Sequence, residues 1–359
     1  MHVLLFNLAT DADDSVLGFT HRWIEELAAR VERVTVVTMR RGRVDVPANV
    51  RVHSVGHERG WSEARRALEF WRLTAGITLR DRPDVAFAHM QPLFAAMYAP
   101  LARLRGVPVL LWYAHGAVPR LLKVADRLVD RSVTSTPAGY RLPSPKLHVI
   151  GQGVDVTHLE PARPAAADWG SSVITVGRNT ASKHLDLALE GLARARRERP
   201  ALRLTLFGEP ATDADVHYEA ALRERAARDD LAGAVDFAGP LRFDAIGQAH
   251  ARGGIVLNLA TGNSIDKALL EAAYAGCIPV SSNEVFAEIA AREGWDALVC
   301  TPDAADLSRA LLAAADLTPD RRAEIAQRAR TVIDEEHSLQ RLMDLVAGHL
   351  RELADRRQP

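Results

Sequence analysis

The sequence predicts an α/β protein built from two doubly wound domains, and three observations lead to this fold class. Apolar runs of strand length alternate with segments of helical periodicity along almost the whole chain. These runs are nearly continuously apolar, which is typical of parallel sheets covered by helices on both faces. The chain has 359 residues, too many for one ordinary core and enough for two. We therefore expect two such domains with a cleft between them.

The first half contains seven predicted strands and four predicted helices, because short β-branched runs are separated by longer amphipathic segments. The predicted strands are Val3–Asn7, Val34–Thr38, Val50–Ser54, Val85–His89, Val109–Tyr113, Ser132–Ser135 and His148–Ile150. The predicted helices are Phe19–Arg30, Ser62–Arg80, Leu93–Arg105 and Pro119–Asp130.

The second half repeats this alternation after a segment around Pro161 and Pro164 whose composition suits a hinge. Its predicted strands are Val173–Val176, Arg203–Phe207, Val235–Ala238, Ile255–Leu259, Ile278–Ser281 and Ala297–Cys300. Its predicted helices are Lys183–Glu198, Asp215–Arg228, Phe243–Ala251, Asp266–Ala275, Phe286–Glu293, Ala304–Ala315 and Pro319–Glu335. We place the domains at residues 1–158 and 159–338, with a C-terminal helix over residues 339–359 that is expected to return to the first domain.

The composition is that of an ordinary globular protein, with 48% hydrophobic and 25% charged residues. Cys277 and Cys300 provide neither a disulfide framework nor a metal cluster, which fits a reducing cytoplasm. No basic segment precedes the first apolar run, so we expect a strand there rather than a signal peptide. The longest uncharged apolar stretch, near residues 92–102, is shorter than the roughly 20 residues of a membrane span.

Charge is unevenly distributed along the chain. Residues 1–155 carry 21 Lys and Arg against 15 Asp and Glu, and the remainder carries 24 against 31. A basic first half suits an anionic acceptor or a lipid surface, but the same excess arises by drift in an Arg-rich protein. Trp61, Phe70 and Trp71 among arginines indicate either peripheral membrane contact or, the interpretation we favour, a packed helix with a solvated face. No nucleic-acid partner is expected.

The strongest chemical signal is the pair Arg178 and Lys183, which follows a strand end and precedes a predicted helix. A guanidinium binds two oxygen atoms at once and an ammonium supplies a compact charge, so the pair suits a diphosphate. Cations at a helix N-terminus oppose the helix dipole unless an anion is bound there. The alternative is two surface cations without a ligand.

A second signal is Glu271, which lies on an apolar predicted helix. A carboxylate in such surroundings is costly to bury without a hydrogen-bonding partner, and two ribose hydroxyls would supply one. The loop before this helix offers N–H groups and side chains to phosphate or sugar, and its candidate residues are Asn263, Ser264, Ile265, Asp266 and Lys267. Asp266 is also a plausible helix N-cap and Lys267 a plausible exposed cation. Diphosphate plus ribose indicates a nucleotide, and we expect a nucleotide-sugar.

Four further candidates rest on their positions beside predicted strands. His115 and Gly18 follow strands of the first half, and Gly208 and Gly239 follow strands of the second. A structural histidine and simple turns are the alternatives. The sequence has no Asp-x-Asp motif with neighbouring ligands, so we expect neither a metal ion nor a cofactor.

At these residues the chain resembles the retaining glycosyltransferases of family 4, which have the GT-B fold of two Rossmann-like domains. Gly177, Arg178 and Lys183 match that family with the usual spacing, and Glu271 matches the second Glu of its paired motif. Residues 152–155 are similar to the Asn-Gly-Val-Asp that ends its first domain. The departures are Asn263 in place of the first Glu, and Ser264 and Asp266 in place of glycines.

The resemblance implies a metal-independent hexosyltransferase with a nucleoside diphosphate sugar as its donor and a hydroxyl group of a saccharide, a lipid-linked molecule or a small molecule as its acceptor. It implies donor binding by the second domain, acceptor binding by the first, and same-face attack with retention. Arg178 and Lys183 would then stabilise the leaving diphosphate, and His115 would lie near donor sugar and acceptor. Gly18 would approach phosphate or acceptor, Asn263 would contact the transferred sugar, and Gly208 and Gly239 would lie near the base.

Two other functions use the same signals. A sugar-nucleotide epimerase of this fold would need the same cations and ribose carboxylate, together with an acid–base pair near the sugar. A protein that binds the nucleotide-sugar without efficient transfer is also open, because Asn263 lacks the charge of the family's Glu. A dinucleotide dehydrogenase is poorly supported, since no strand is followed by Gly-x-Gly-x-x-Gly.

Overall fold

The computed structural model describes residues 1–14, 17–157, 159, 169–241, 247, 250, 253–260 and 265–356. The chain forms two compact units. The first unit consists of Met1–Gly153 and His337–Pro359, and the second is Val154–Glu336. Each unit contains one parallel sheet with helices, which confirms the α/β fold class predicted from the sequence.

The first unit has a seven-stranded sheet. Its strands are β1 (His2–Thr10), β2 (Arg33–Arg41), β3 (Val50–Ser54), β4 (Val85–His89), β5 (Val109–Trp112), β6 (Arg131–Thr134) and β7 (Leu147–Val149). They lie in the order 3-2-1-4-5-6-7, with all neighbours parallel. The helices between them are α1 (Phe19–Ala28), α2 (Glu63–Arg80), α3 (Pro92–Arg105) and α4 (Arg120–Leu128).

Apolar layers cover both faces of this sheet. Along β1, Val3 and Leu5 contact one layer while Leu4 and Phe6 contact the other, as the two-residue period of a strand requires. The ring of Phe6 lies 5.2 Å from that of Tyr98 on α3. This two-sided burial explains why the strand sequences are apolar at nearly every position.

The second unit has a five-stranded parallel sheet. Its strands are β8 (Ser172–Val176), β9 (Arg203–Phe207), β10 (Val235–Phe237), β11 (Ile255–Asn258) and β12 (Ile278–Ser281), in the order 10-9-8-11-12. Its helices are α5 (Leu185–Ala195), α6 (Asp213–Ala226), α7 (Lys267–Tyr274), α8 (Glu284–Glu293), α9 (Ala304–Ala315) and α10 (Pro319–Val332).

The last helix, α11 (Leu339–Asp355), belongs to the first unit. Ser338 caps it by accepting a hydrogen bond from the N–H of Arg341 at 3.3 Å. Its buried apolar residues recur at the three- and four-residue spacing of one helix face, and they are Leu339, Leu342, Met343, Val346, Leu350 and Leu353.

Several predicted elements differ from the observed ones in their bounds, and two differences in the second unit change its local structure. The predicted strand Ala297–Cys300 is wrong, because Asp296–Leu298 forms a 3₁₀ turn and only Val299 bridges to Ser281. The helix predicted from Lys183 begins at Leu185 instead, after a 3₁₀ turn and a left-handed residue, His184, with φ of 49°. The predicted helix Phe243–Ala251 lies mostly outside the described residues.

Candidate functional site

The candidate site lies at the switch point of the second sheet. From β8 the chain proceeds outward through β9 to β10, and it then returns to β11 on the opposite side of β8. The segments after β8 and β11 therefore leave the sheet at the same edge and diverge, which opens a crevice at the carboxyl ends of these strands. Arg178 and Lys183 follow β8, while Asp266 and Glu271 follow β11.

The loop after β8 depends on two glycines. Gly177 has a φ of 138°, a conformation that L side chains rarely adopt. Gly208, at the end of β9, packs so closely behind this loop that a Cβ atom there would lie 1.9 Å from the carbonyl oxygen of Gly177. Gly208 is therefore explained by backbone packing behind the loop that carries Arg178.

A buried amide holds the same loop from behind. Asn179 is 2% exposed, and its side-chain amide donates to a carboxylate oxygen of Glu219 at 2.9 Å and to the carbonyl of Gly208 at 3.3 Å. Its backbone N–H donates to the carbonyl of Glu209 at 3.0 Å. Burial acts to raise the pKa of Glu219, but hydrogen bonds from Asn179 and Arg223 outweigh it and leave that pKa lowered. The carboxylate is thus kept ionised and able to accept.

The two cations of the site are not equivalent. The side chain of Arg178 is exposed and makes no hydrogen bond or ion pair with the part of the chain that the structure describes. The Lys183 side chain is only 25% exposed, and its ammonium forms an ion pair with the carboxylate of Asp266. The sequence predicted two cations at a helix N-terminus, whereas Lys183 ends a 3₁₀ turn two residues before that helix.

Asp266 connects three elements. It is the N-cap of α7, as predicted, and one carboxylate oxygen accepts from the N–H of Ala268 at 3.1 Å. The other oxygen accepts from the Lys183 ammonium and from the side-chain amide of Asn258, the last residue of β11, at 2.9 Å. Burial acts to raise the pKa of Asp266, but Lys183 and these hydrogen bonds leave it below its ordinary value.

Lys267 and Glu271 lie one turn apart on α7. Glu271 is 7% exposed, and burial raises its pKa to about 8 despite the opposing effect of Lys267. Burial likewise lowers the pKa of Lys267 to about 8, against the carboxylates of Glu271 and Asp266. Both groups therefore change charge close to neutral pH, so ligand contacts at this turn of the helix are coupled to proton exchange.

A small, partly open pocket lies between the two strand ends. Arg178 and Lys183 line it on the β8 side, and Asn258 lines it on the β11 side. Asn258 is 6% exposed, and its side-chain oxygen has no hydrogen-bond partner among the described residues. The pocket thus combines two cations with a free amide acceptor.

The remaining predicted residues of this unit are placed as follows. Ile265 is 1% exposed and packs in the hydrophobic core, so only its backbone is available to a ligand. Gly239 follows β10 with a φ of 80° and has open space around its α-carbon. Asn263 and Ser264 lie outside the described residues.

In the first unit, His115 and Gly18 follow β5 and β1 at the carboxyl edge of the sheet. The His115 side chain is exposed, and its Nδ1 accepts from the N–H of Ala117 at 3.1 Å. In the neutral imidazole the proton is therefore on Nε2, which can donate. A Cβ atom at Gly18 would lie 2.6 Å from the carbonyl oxygen of Asp14, so close backbone packing accounts for this glycine.

A comparison with protein families finds a match within the second unit. Residues 170–316 match the family model described as "Glycosyl transferases group 1". This segment includes Arg178, Lys183, Asp266 and Glu271. Most of the second unit therefore matches this family model.

Solved structures resemble the whole chain. HepE of Anabaena, in complex with UDP, aligns with a TM-score of 0.72 at 15% identity, covering 98% of this chain and 100% of HepE. Sucrose-phosphate synthase of Thermosynechococcus elongatus aligns with a TM-score of 0.69 at 14% identity, covering 98% of this chain and 100% of the synthase. WaaG, a glycosyltransferase involved in lipopolysaccharide biosynthesis, aligns with a TM-score of 0.66 at 16% identity, covering 97% of this chain and 99% of WaaG. The fold is GT-B.

No curated protein sequence matches this GT-B chain. Within its described residues, no helix has the length and apolarity needed to cross a membrane. In the same part of the chain, no group of three or more His, Cys, Asp or Glu side chains has an arrangement that could hold a metal ion.

Sequence reasoning missed three polar residues that the structure places in or behind the candidate site, namely Asn179, Glu219 and Asn258. Each is a single polar residue near a strand end or on a helix, without a motif around it. Their roles follow from contacts across 8 to 40 positions of sequence. Burial of a lone Asn at the end of an apolar strand was the one available signal for Asn258.

Proposed function

We propose that the protein is a metal-independent glycosyltransferase that moves a hexose-type sugar from a nucleoside diphosphate to a hydroxyl acceptor, with retention of anomeric configuration. The observation that carries this proposal is that Arg178 and Lys183 line the pocket at the β8–β11 switch point, within the segment that matches the group 1 family model. Glu271 lies on the helix that follows β11. The resemblance to family 4 supports retention. HepE, which shares the fold, has been crystallised with UDP and with UDP-glucose.

On the donor side, the diphosphate binds to the two cations of the pocket. Arg178 offers a guanidinium that has no partner in the described part of the chain, and Lys183 offers the N–H groups that Asp266 does not use. Glu271 accepts from the ribose hydroxyls. The backbone before α7, with Asn263 and Ser264, binds the sugar or phosphate, and Gly208 and Gly239 border the base.

The reaction breaks the bond between the anomeric carbon and the diphosphate oxygen and forms one to the acceptor oxygen on the same face. Negative charge develops on the departing diphosphate oxygen, and this oxygen takes the proton that the acceptor hydroxyl loses. Lys183 is held near that charge by Asp266 before the reaction, and the exposed guanidinium of Arg178 follows the same strand end, so both cations stabilise the transition state electrostatically. This chemistry needs no metal ion.

On the acceptor side, the first unit supplies His115 and Gly18. The exposed Nε2 of His115 suits a hydrogen bond to a hydroxyl group or to the transferred sugar. Gly18 keeps the loop after β1 free of a side chain. The acceptor is a saccharide, a lipid-linked molecule or a small molecule that carries a hydroxyl group.

Titration with a panel of nucleoside diphosphates and their sugars tests this function. We expect one nucleotide to bind, and its sugar to be transferred when an acceptor panel is added. Mass spectrometry of the donor incubated alone separates the alternatives, because an epimerase converts the donor without an acceptor. Donor binding without turnover on any acceptor identifies a binding protein, and no binding by any nucleotide contradicts the proposal.

We also propose that the protein is cytoplasmic and that its first unit contacts an anionic membrane surface. Helices α2, α3 and α4 neighbour one another and carry nine Arg and Lys against three Asp and Glu, of which Asp126 is buried. Of the nine large apolar side chains exposed in the described part of the chain, six lie on these helices: Leu68, Trp71, Leu79, Leu93, Leu104 and Val124. Apolar side chains among cations suit a lipid headgroup region.

Replacement of Leu68 and Leu79 by Glu is expected to weaken binding to vesicles containing anionic lipid at least about tenfold, since two apolar contacts are lost and two negative charges are added. Co-sedimentation measures this binding. Val216→Glu is the matched control, because Val216 and Leu79 are both 53% exposed and Val216 lies in the second unit. Equal binding of the parent, the double variant and the control contradicts this surface.

A further inference from the structure

The ion pair between Lys183 and Asp266 has no counterpart in the sequence-based prediction, which assigned Lys183 to the diphosphate and Asp266 to the helix cap. We propose that Asp266 is a positioning residue that holds the Lys183 ammonium at the edge of the pocket, ready for the diphosphate. This inference deepens the proposed function and rests on it. Three observations carry it.

The first observation is that the Asp266 carboxylate is fixed independently of Lys183. Its two oxygens accept from the N–H of Ala268 on α7 and from the side-chain amide of Asn258 on β11. One of these donors belongs to a helix and the other to the end of a buried strand. The carboxylate therefore stays in place whether or not the ammonium is bound to it, and it serves as the anchor of the pair.

The second observation concerns the side chain that is anchored. A lysine side chain carries its ammonium on a flexible chain of four carbons, so the ammonium can sample many positions. Here the end of the chain lies beside Gly177, where a Cβ atom would come within 3.5 Å of Nζ. The ammonium therefore lies on the side of Gly177 that carries no side chain, and the carboxylate of Asp266 holds it there. An ammonium has three N–H groups, so the ion pair leaves others for a diphosphate oxygen.

The third observation is the residue type. Only four of the 45 Lys and Arg residues in the sequence are Lys, and Lys183 and Lys267 are two of them. Arginine would bind a carboxylate through two parallel hydrogen bonds, which would engage more of its donors. A lysine can bridge a carboxylate and a phosphate through separate N–H groups. The chain thus uses its rarer cation where a shared contact is needed.

Two other roles for Asp266 predict different results. If Asp266 only caps α7, then Asn should replace it without effect on nucleotide binding, because Asn is an equally good N-cap. If its charge mainly repels the diphosphate, then Asp266→Asn should tighten binding. If Asp266 positions Lys183, then Asp266→Asn should weaken binding, and only where Lys183 is present.

A double-mutant cycle on nucleoside diphosphate affinity separates these roles. Calorimetry would compare the parent, Asp266→Asn, Lys183→Ala and the double variant, with UDP and GDP as probes. We expect Asp266→Asn to weaken binding about fivefold in the parent, because the ammonium must then be ordered on binding. In the Lys183→Ala background we expect Asp266→Asn to cause no weakening and to restore part of the binding, because the unpaired carboxylate no longer repels the phosphates.

Asp303→Asn is the matched control. Asp303 is the N-cap of α9, accepts from the N–H groups of Ala305 and Asp306, and does not line the pocket. Its substitution is expected to leave the affinity unchanged. Unchanged or tighter binding by Asp266→Asn, or equal weakening in both backgrounds, overturns the positioning role alone. Parent affinity in Lys183→Ala overturns the diphosphate site, and the inference falls with it.

Discussion

Lys183→Ala is expected to weaken binding of the nucleoside diphosphate about ten- to a hundredfold, the range for loss of one hydrogen-bonded charge. Two effects act in the same direction. The diphosphate loses an ammonium contact, and the Asp266 carboxylate loses its cation while remaining close to the pocket. A buried carboxylate without its partner repels the incoming phosphates. Calorimetric titration with nucleoside diphosphates measures the change.

Arg178→Ala is expected to have a smaller effect on the same titration. Arg178 is exposed and leaves no carboxylate unpaired when it is removed, so only its own contact with the diphosphate is lost. Lys123→Ala, at an exposed lysine of the first unit, is the control for loss of a positive charge. Parent affinity in both site variants contradicts the diphosphate site, while a larger effect for Arg178→Ala contradicts the unequal roles of the two cations.

The sequence predicted most strands well because burial on both faces leaves a continuous apolar signal. Val50–Ser54, Val85–His89, Arg203–Phe207 and Ile278–Ser281 agree with the observed bounds residue for residue. Ala297–Cys300 failed although it is apolar, since its backbone closes a turn from Trp295 to Leu298 before a single bridge forms. An apolar run of four residues does not distinguish a strand from a buried turn.

The site was only partly predictable, because its polar contacts join distant segments. Lys183 and Asp266 are 83 positions apart, and they meet because β8 and β11 are neighbours in the sheet. A single sequence contains no signal for that pairing. The predicted helix start at Lys183 also hid the left-handed His184, which ends the 3₁₀ turn carrying the ammonium. The residues were therefore identified, but the ion pair between two of them was not.

The roles of glycines were the least predictable part. Gly208 stays a predicted neighbour of the nucleotide base, and the structure adds a separate reason for a glycine there, because the carbonyl of Gly177 fills the space where a side chain would lie. Gly18 is explained in the same way by the carbonyl of Asp14. A sequence shows that a glycine is present, whereas only the fold shows whether a ligand or the chain's own backbone requires it.

Nucleotide binding is expected to tighten as the pH rises toward 8, and Glu271 is the reason. Burial raises the pKa of Glu271 to about 8, so the free protein holds this carboxyl largely protonated below that pH. In the proposed ribose site the two hydroxyls donate to the ionised form, so binding releases a proton. By linkage, affinity then rises by up to about tenfold for each pH unit below 8 and levels off above it. Lys267 loses its positive charge in the same range, and the loss of a cation near the site opposes any further gain in affinity above pH 8.

Glu271→Gln is expected to bind the nucleotide-sugar more weakly than the parent at pH 8 and to lose this pH dependence, because an amide neither titrates nor accepts as strongly as a carboxylate. A nucleotide-sugar is the appropriate probe, since its doubly esterified diphosphate does not titrate near neutral pH. Its 2′-deoxy analogue lacks one of the two hydroxyls, so the parent should bind it with a shallower pH profile. Glu288→Gln, at an exposed carboxylate of α8, controls for the loss of a negative charge. A parent affinity that is flat from pH 6 to about 8, or a Glu271→Gln profile that matches the parent, removes Glu271 from the ribose site.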